Sequence, residues 1–264
     1  MINDIQYIKS TDQIGREINI PFPPKKIVSV VPSQTELLFD LGVGDLVVAV
    51  TWFCIHPDET RLKHHIGGTK SLKLEKIAAL NPDLIVANKE ENVREQIDWL
   101  AERFPVWVSD IKTLDDAKSM IKSIGDITDK SLKANELIEE INAVFNRLKP
   151  EKTLRTLYLI WKNPWMNAGS DTFIHHMMQR AGLKNVMSSF ARYPEIKEDD
   201  MKQLNPEMVL LSSEPYPFKE KHVQEIKLLL PNSEIRLVDG EMFSWYGSRL
   251  IKAGEYLNRE FLSG

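Results

Sequence analysis

The sequence predicts an α/β protein built of two Rossmann-like lobes, each around a mainly parallel sheet, joined by one long rigid α-helix. Three observations predict it: a motif that occurs twice, short apolar runs alternating with helical periodicity in both halves, and an amphipathic stretch between the halves. Leu80-Asn81-Pro82-Asp83-Leu84-Ile85-Val86 recurs as Leu204-Asn205-Pro206-Glu207-Met208-Val209-Leu210, matched in residue type at every position. Each copy reads as a helix end, a proline that stops the helix, and an acid before a continuous apolar run. That is a helix feeding a buried parallel strand.

Taken in order, the first lobe opens with a strand at Ile27–Val31, then a polar loop and a helix over Thr35–Leu41 that ends at Gly42, where the left-handed conformation is expected. A helix over Leu74–Leu80 feeds the strand at Leu84–Val86, and Val106–Asp110 forms a further strand. The second lobe repeats the order: strand Leu157–Trp161, helix Asp171–Ala181 ending at Gly182, helix Glu198–Leu204, strand from Met208, and strand Ile235–Asp239. Strands and helices alternating over short connections imply right-handed crossovers. Between the halves, Ile127, Leu132, Leu137, Ile138, Ile141, Val144, Phe145 and Leu148 recur mostly every three or four residues, so Asp126–Lys149 is expected to be a single helix stopped by Pro150. The expected boundaries are residues 1–125 for the first lobe, 126–152 for the linking helix and 153–264 for the second lobe.

Composition narrows the function. The 264 residues are 42% hydrophobic and 27% charged with a net charge of −4, and no block of Lys or Arg offers the footprint of a nucleic-acid or anionic-membrane binder. The single cysteine, Cys54, forms no internal disulfide and no Cys-rich zinc site. The opening Met1–Ser10 shows no basic segment followed by an apolar stretch, so no export signal is expected in the chain as written, leaving a cytoplasmic protein and a processed extracytoplasmic one both open. No phosphate-binding glycine loop, Gly-x-Ser-x-Gly elbow or His-Glu-x-x-His occurs.

In open parallel sheets ligands lie beyond the carboxyl ends of the strands. Those segments hold Pro32 and Ser33; Trp52, Phe53 and His56; Asn88 and Lys89; Lys162 and Trp165; Tyr193; Tyr216 and Phe218; and Phe243, Trp245 and Tyr246. Loops are ordinarily polar, so this aromatic enrichment points to a wide cleft between the lobes that stacks on a flat or greasy ligand; for any single ring, core packing is the commoner role. Arg249, Lys89 and Lys162 are candidates to meet acidic ligand groups, although surface ion pairs are their usual fate. Cys54 and His56 share one loop but two groups do not build a metal site. The adjacent pairs His64-His65 and His175-His176 cannot each converge on one point, which leaves His56 with Asp239 as a pair to test.

Lys25 through Leu38, then Gly67-Gly68-Thr69, Leu74-Glu75-Lys76-Ile77 and the Leu80–Val86 motif resemble the substrate-binding proteins of cobalamin and ferric-siderophore ABC importers, the helical-backbone metal receptors or class III periplasmic binding proteins. Thr11–Ile18 looks like the N-terminal hairpin of that family, and Tyr246-Gly247-Ser248-Arg249-Leu250 like its closing helix start. The resemblance covers nearly the whole chain and is greatest for the cobalamin-binding branch. It implies a monomeric receptor, not an enzyme, with no intrinsic cofactor. Its ligand would be a corrinoid, with haem or a ferric siderophore as alternatives, delivered to an ABC permease from a periplasmic or otherwise extracytoplasmic location. By motif, Trp52, Phe53, Trp161, Trp165, Phe243 and Trp245 look like the residues that enclose the corrin. Acids near the family's permease-docking positions are Glu90, Glu91 or Glu95 in the first lobe and Glu198 or Asp199 in the second, residues that also suit a helix N-terminus. A cytoplasmic chelatase-like or metal-cofactor-handling enzyme is the alternative reading, and a carrier of bare metal ions the third.

Overall fold

A computed structural model describes residues 6–262; the outermost residues of the two expected lobes, 1–5 and 263–264, lie outside it. The chain divides into two compact units, one of Met1–Asp110, Asp115–Glu140 and Tyr246–Arg249, the other of Ile111–Leu114, Ile141–Trp245 and Leu250–Gly264.

The first unit opens with an antiparallel hairpin, β1 (Tyr7–Thr11) and β2 (Glu17–Pro21). Asp12 in its turn is buried and accepts from Arg16 Nε at 2.9 Å, while Arg16 also donates to the Val106 carbonyl, which ties the hairpin to the strand beneath it. Then come β3 (Ile27–Ser29), α1 (Pro32–Asp40), β4 (Val47–Val50), β5 (His64–His65), the short antiparallel pair β6 (Gly67–Gly68) and β7 (Ser71–Leu72), α2 (Leu74–Leu80), β8 (Leu84–Asn88), α3 (Arg94–Ala101) and β9 (Val106–Ser109). The main sheet runs β5-β4-β3-β8-β9, and every neighbouring pair is parallel. Its inner strands β3, β4 and β8 are mostly apolar and buried, as strands of parallel sheets are; Val28, Ala49, Ile66, Ile85 and Val106 form one core with Ile77 of α2 and Leu100 of α3.

After α4 (Leu114–Ile127) and α5 (Ser131–Phe145), the second unit is assembled from β10 (Leu154–Trp161), β11 (Met166–Asn167), α6 (Phe173–Arg180), β12 (Leu183–Asn185), α7 (Glu198–Leu204), β13 (Met208–Ser212), α8 (Glu220–Leu229), β14 (Glu234–Val238), α9 (Glu241–Ser244) and α10 (Leu250–Leu257). Its sheet runs β11-β10-β13-β14 with β12 also on β10, parallel except for β11. Leu157, Leu159, Val209 and Leu211 of the strands pack on Met201 and Ile226 of the helices.

The repeated motif folds alike in both units, and its residues have paired tasks. The asparagine, not the proline, ends each helix: Asn81 and Asn205 take the left-handed conformation, with φ of 47° and 40°, one of the few non-glycine side chains to do so at modest cost. The acid then anchors the neighbouring strand. Asp83 accepts from the backbone N–H of Lys25 and Lys26, and Glu207 from that of Arg155. A basic residue at the start of that strand or just before it returns to the helix end, Lys26 donating to Leu80 O and Arg155 to Leu204 O and Asn205 O. Gly42 and Gly182 both have positive φ, 77° and 73°, as the sequence predicts.

The expected single helix over Asp126–Lys149 is two helices. α4 already runs from Leu114, and the chain breaks at Thr128–Lys130, where Asp129 adopts φ 60°. The Thr128 hydroxyl turns back onto Ile124 O, the Lys130 N–H caps Gly125 O, and Ser131 donates to Asp126, so the break is a built corner. Gly125 permits it: a Cβ there would lie 2.3 Å from the Ala134 methyl. Leu132, counted in the apolar stripe, is 82% exposed just beyond that corner. Among the described residues no helix is long and apolar enough to cross a membrane.

Candidate ligand-binding site

In the first unit the loop after β4 is the most exposed apolar segment at the carboxyl edge of the sheet. Its base is a buried cluster: Cys54 Sγ lies 3.1 Å from Thr35 Oγ1 and 3.2 Å from Thr51 Oγ1. Burial pushes the Cys54 thiol up, which favours its protonated form at neutral pH and suits a structural role at the base of the turn. Held from below, the turn sends Trp52 and Phe53 outward, 57% and 60% exposed. The Trp52 backbone N–H donates to Gly67 O at 2.9 Å, and its ring stacks on that of His65 at 4.1 Å and 9°. Phe53 lies over Gly68, where a Cβ would stand 3.1 Å from its ring. Ile55 is exposed beside them and His56 is half-buried.

The other first-unit candidates have structural work. Asn88 is buried, donating to Ser109 and accepting from the backbone N–H of Glu90 and Glu91, so it shapes the turn after β8. Lys89 pairs with Asp110. Pro32 begins α1, and Ser33 is buried where Gly247, at φ 112°, passes close: a Cβ on Gly247 would sit 3.1 Å from Ser33 O. Tyr246 is buried as well. Arg249 is 6% exposed and grips Glu36 of α1 through Nε at 2.7 Å and Nη2 at 2.8 Å. Arg249 is thus committed to Glu36, which corrects the expectation that it meets acidic ligand groups, whereas Lys89, 55% exposed, makes a surface pair with Asp110.

In the second unit Trp161, at the end of β10, is 39% exposed and meets half-buried Tyr216 edge-on at 5.6 Å. Behind them Trp165 stacks parallel on Phe218 at 6.1 Å, and both belong to the core with Leu159, Met187 and Ile196. Trp165 is thus packed into the core of this unit. Lys162 sits over the Trp165 ring and pairs with Glu225, so it too is committed. Phe243, expected to stack on ligand, is fully buried against Tyr158, Tyr256 and Phe261. Trp245 is buried and donates through Nε1 to Glu214 at 3.0 Å. Tyr193 is half-buried beneath the Arg192 guanidinium. Glu214, not singled out from the sequence between the strand and Tyr216, is an acid whose carboxyl burial pushes up, with Glu241 and Asp239 adding to it. Asp239 accepts from the Glu241 N–H.

Residues 27–228 match the model of the periplasmic binding protein family. The chain belongs to that family. Among curated relatives of this periplasmic binding protein, the vitamin B12-binding protein of Pectobacterium carotovorum is 24% identical over 89% of this chain and 87% of its own. An uncharacterized ABC transporter substrate-binding lipoprotein of Bacillus subtilis, YvrC, is 26% identical over 93% and 82%. Among solved structures, the periplasmic heme binding protein HutB of Vibrio cholerae superimposes with a TM-score of 0.76 at 24% identity, covering 89% of this chain and 97% of that one. The resemblance read from the sequence is borne out at the level of family and fold.

The acids expected at docking positions differ in accessibility in this family member. Glu95, Glu198 and Asp199 are exposed in the first turns of α3 and α7, whereas Glu90 and Glu91 are half-buried in the turn organised by Asn88. Among the described residues no three His, Cys, Asp or Glu side chains are grouped to hold a metal ion. His65 lies under Trp52, and His175 faces Asn185 at 3.1 Å.

Proposed function

We propose that this periplasmic binding protein is the substrate-binding component of an ABC importer, working outside the cytoplasm, and that it carries a metal chelate of the corrinoid class. The observation that carries the reading is the set of solvent-facing aromatics at the carboxyl edges of the two sheets, Trp52 and Phe53 in one unit and Trp161 with Tyr216 in the other. Trp52 and Phe53 rest on His65 and Gly68, and Tyr216 on Phe218, which stacks on Trp165 in the core. Preorganised rings stack on a broad, flat molecule with little ordering cost, which is what a corrin or porphyrin presents. The names of the B12-binding and ABC-transporter relatives support both the ligand class and the delivery role.

Haem is the second reading, because the heme-binding structure is as similar in sequence, at 24%, as the B12-binding relative. Delivery would use exposed acids on each unit, with Glu95 in one and Glu198 or Asp199 in the other meeting basic residues of the permease. Titrating the purified protein with cyanocobalamin, cobinamide, haem and ferric siderophores, read by tryptophan fluorescence and calorimetry, tests the proposal. Saturable one-to-one binding of a corrinoid is expected; binding of none of the four abolishes the chelate-carrier reading.

A further inference from the structure

Glu214 stands at the carboxyl end of β13, two residues before Tyr216, and is clamped on three sides. Its Oε1 accepts from Trp245 Nε1 at 3.0 Å and from the Ser244 hydroxyl at 2.8 Å, and Gly240 comes so near that a Cβ there would fall 2.6 Å from Glu214 Cγ. The indole N–H is a donor only, so Oε1 is fixed as an acceptor. Oε2 has no donor among the described residues and is open to solvent. A half-buried carboxylate with one oxygen locked and the other presented is a directional acceptor, oriented before any ligand arrives.

Two acids act on it electrostatically. Glu241 and Asp239 both disfavour further negative charge at Glu214, while Lys162, the cation nearest in sequence to the exposed Trp161, is already paired with Glu225. A ligand edge that carries carboxylates meets repulsion from Glu214, Glu241 and Asp239 here, whereas an edge that carries amide N–H groups meets an acceptor.

Resting on the corrinoid-carrier reading, we propose that Glu214 is a specificity-determining residue that selects ligands bearing peripheral carboxamides over those bearing peripheral carboxylates. Oε2 accepts a hydrogen bond from one carboxamide N–H of the ligand, and the ring is held by the aromatics beside it. Discrimination of this kind is strong because the wrong ligand leaves a half-buried charge without a donor and adds a second one facing it.

The test uses the whole protein and two corrinoids with the same ring, a cyano-corrinoid with its peripheral carboxamides intact and the same compound with those amides hydrolysed to carboxylates, together with haem. Wild type is expected to bind the carboxamide form at least about ten-fold more tightly than the carboxylate form, and Glu214→Gln to narrow that ratio by roughly five-fold or more, chiefly by improved binding of the carboxylate form. Equal affinity for the two corrinoids in wild type overturns the proposal without needing the variant. A preserved ratio in a folded Glu214→Gln protein moves the selectivity away from Glu214 and also overturns it, while the corrinoid-carrier reading stands. Tight binding of haem with no binding of either corrinoid overturns both.

Discussion

At the scale of single residues, the aromatics divide by what lies behind them. Trp52 projects into solvent from an anchored turn, so Trp52→Ala is expected to leave the unfolding midpoint nearly unchanged and to weaken corrinoid binding about ten-fold or more, read by calorimetry. Trp165 is embedded in the second-unit core, so Trp165→Ala should cost roughly 3–5 kcal/mol of stability in chemical denaturation. Unchanged stability in that variant would return Trp165 to the ligand surface. Glu214 supplies a pH signature. Burial is the first cause raising its carboxyl, and a group whose folded pKa lies above its unfolded one contributes stability that is full below the ordinary carboxylate range and is lost as pH rises through the raised value. Glu214→Gln should therefore gain on wild type in thermal midpoint as pH climbs from about 4 to about 7, a glutamate's unfolded value being near 4.3. A difference constant across that range would show that Glu214 is not desolvated. The sequence read Trp52, Phe53 and Tyr216 as residues of loops at the carboxyl edges of strands, where the structure has them, and Trp161 as the end of a strand, but it put the buried rings of Trp165 and Phe243 in the same loop class and offered Arg249 to acidic ligand groups. Nothing local distinguishes a loop ring that turns outward from one that folds back. Trp165 is buried by Phe218, 53 positions away as the residue numbers run, and Arg249 by Glu36 across most of the chain.

At the scale of elements, the duplication was legible because its logic is local. Helix end, left-handed asparagine, proline, acid and strand are consecutive, and each residue type answers a backbone requirement within a few positions. The break between α4 and α5 was not legible for the opposite reason. An apolar count at spacings of three and four runs through Ile127 and Leu137 without registering that Asp129 takes positive φ and that Gly125 lets two helices meet at a corner. The repeated helix end gives a paired prediction. Alanine loses the left-handed preference that asparagine has, so Asn81→Ala and Asn205→Ala should each destabilise by about 1–2 kcal/mol, and Asn81→Gly and Asn205→Gly by far less. Both sites are exposed, so denaturant midpoints report backbone conformation and not lost packing. A cost for alanine matched by an equal cost for glycine at either site would mean that the asparagine side chain, and not its backbone angle, is what the motif requires.

At the scale of the whole molecule, each unit has its own parallel sheet and its own apolar core, and the proposed ligand contacts are drawn from carboxyl-edge loops of both. That has a thermodynamic consequence, because a ligand stabilises whatever it binds in the folded form: at a hundred-fold excess over Kd the gain is about 2.7 kcal/mol, several degrees in midpoint for chains of this size. If loops of both units touch the corrinoid, scanning calorimetry with saturating ligand should displace the entire unfolding envelope upward, and hydrogen exchange should slow in the core strands β3 and β8 as well as in β10 and β13. A shift confined to one set of strands would assign the ligand to that unit alone and strip the aromatics of the other from the site. The same titration separates the energetic sources. Stacking and carboxamide recognition of a ligand without net negative charge respond weakly to ionic strength, whereas binding through paired charges falls as salt screens them. A loss of affinity beyond a few-fold between low and high salt would therefore contradict a site whose cations Lys89, Lys162 and Arg249 are already held by Asp110, Glu225 and Glu36.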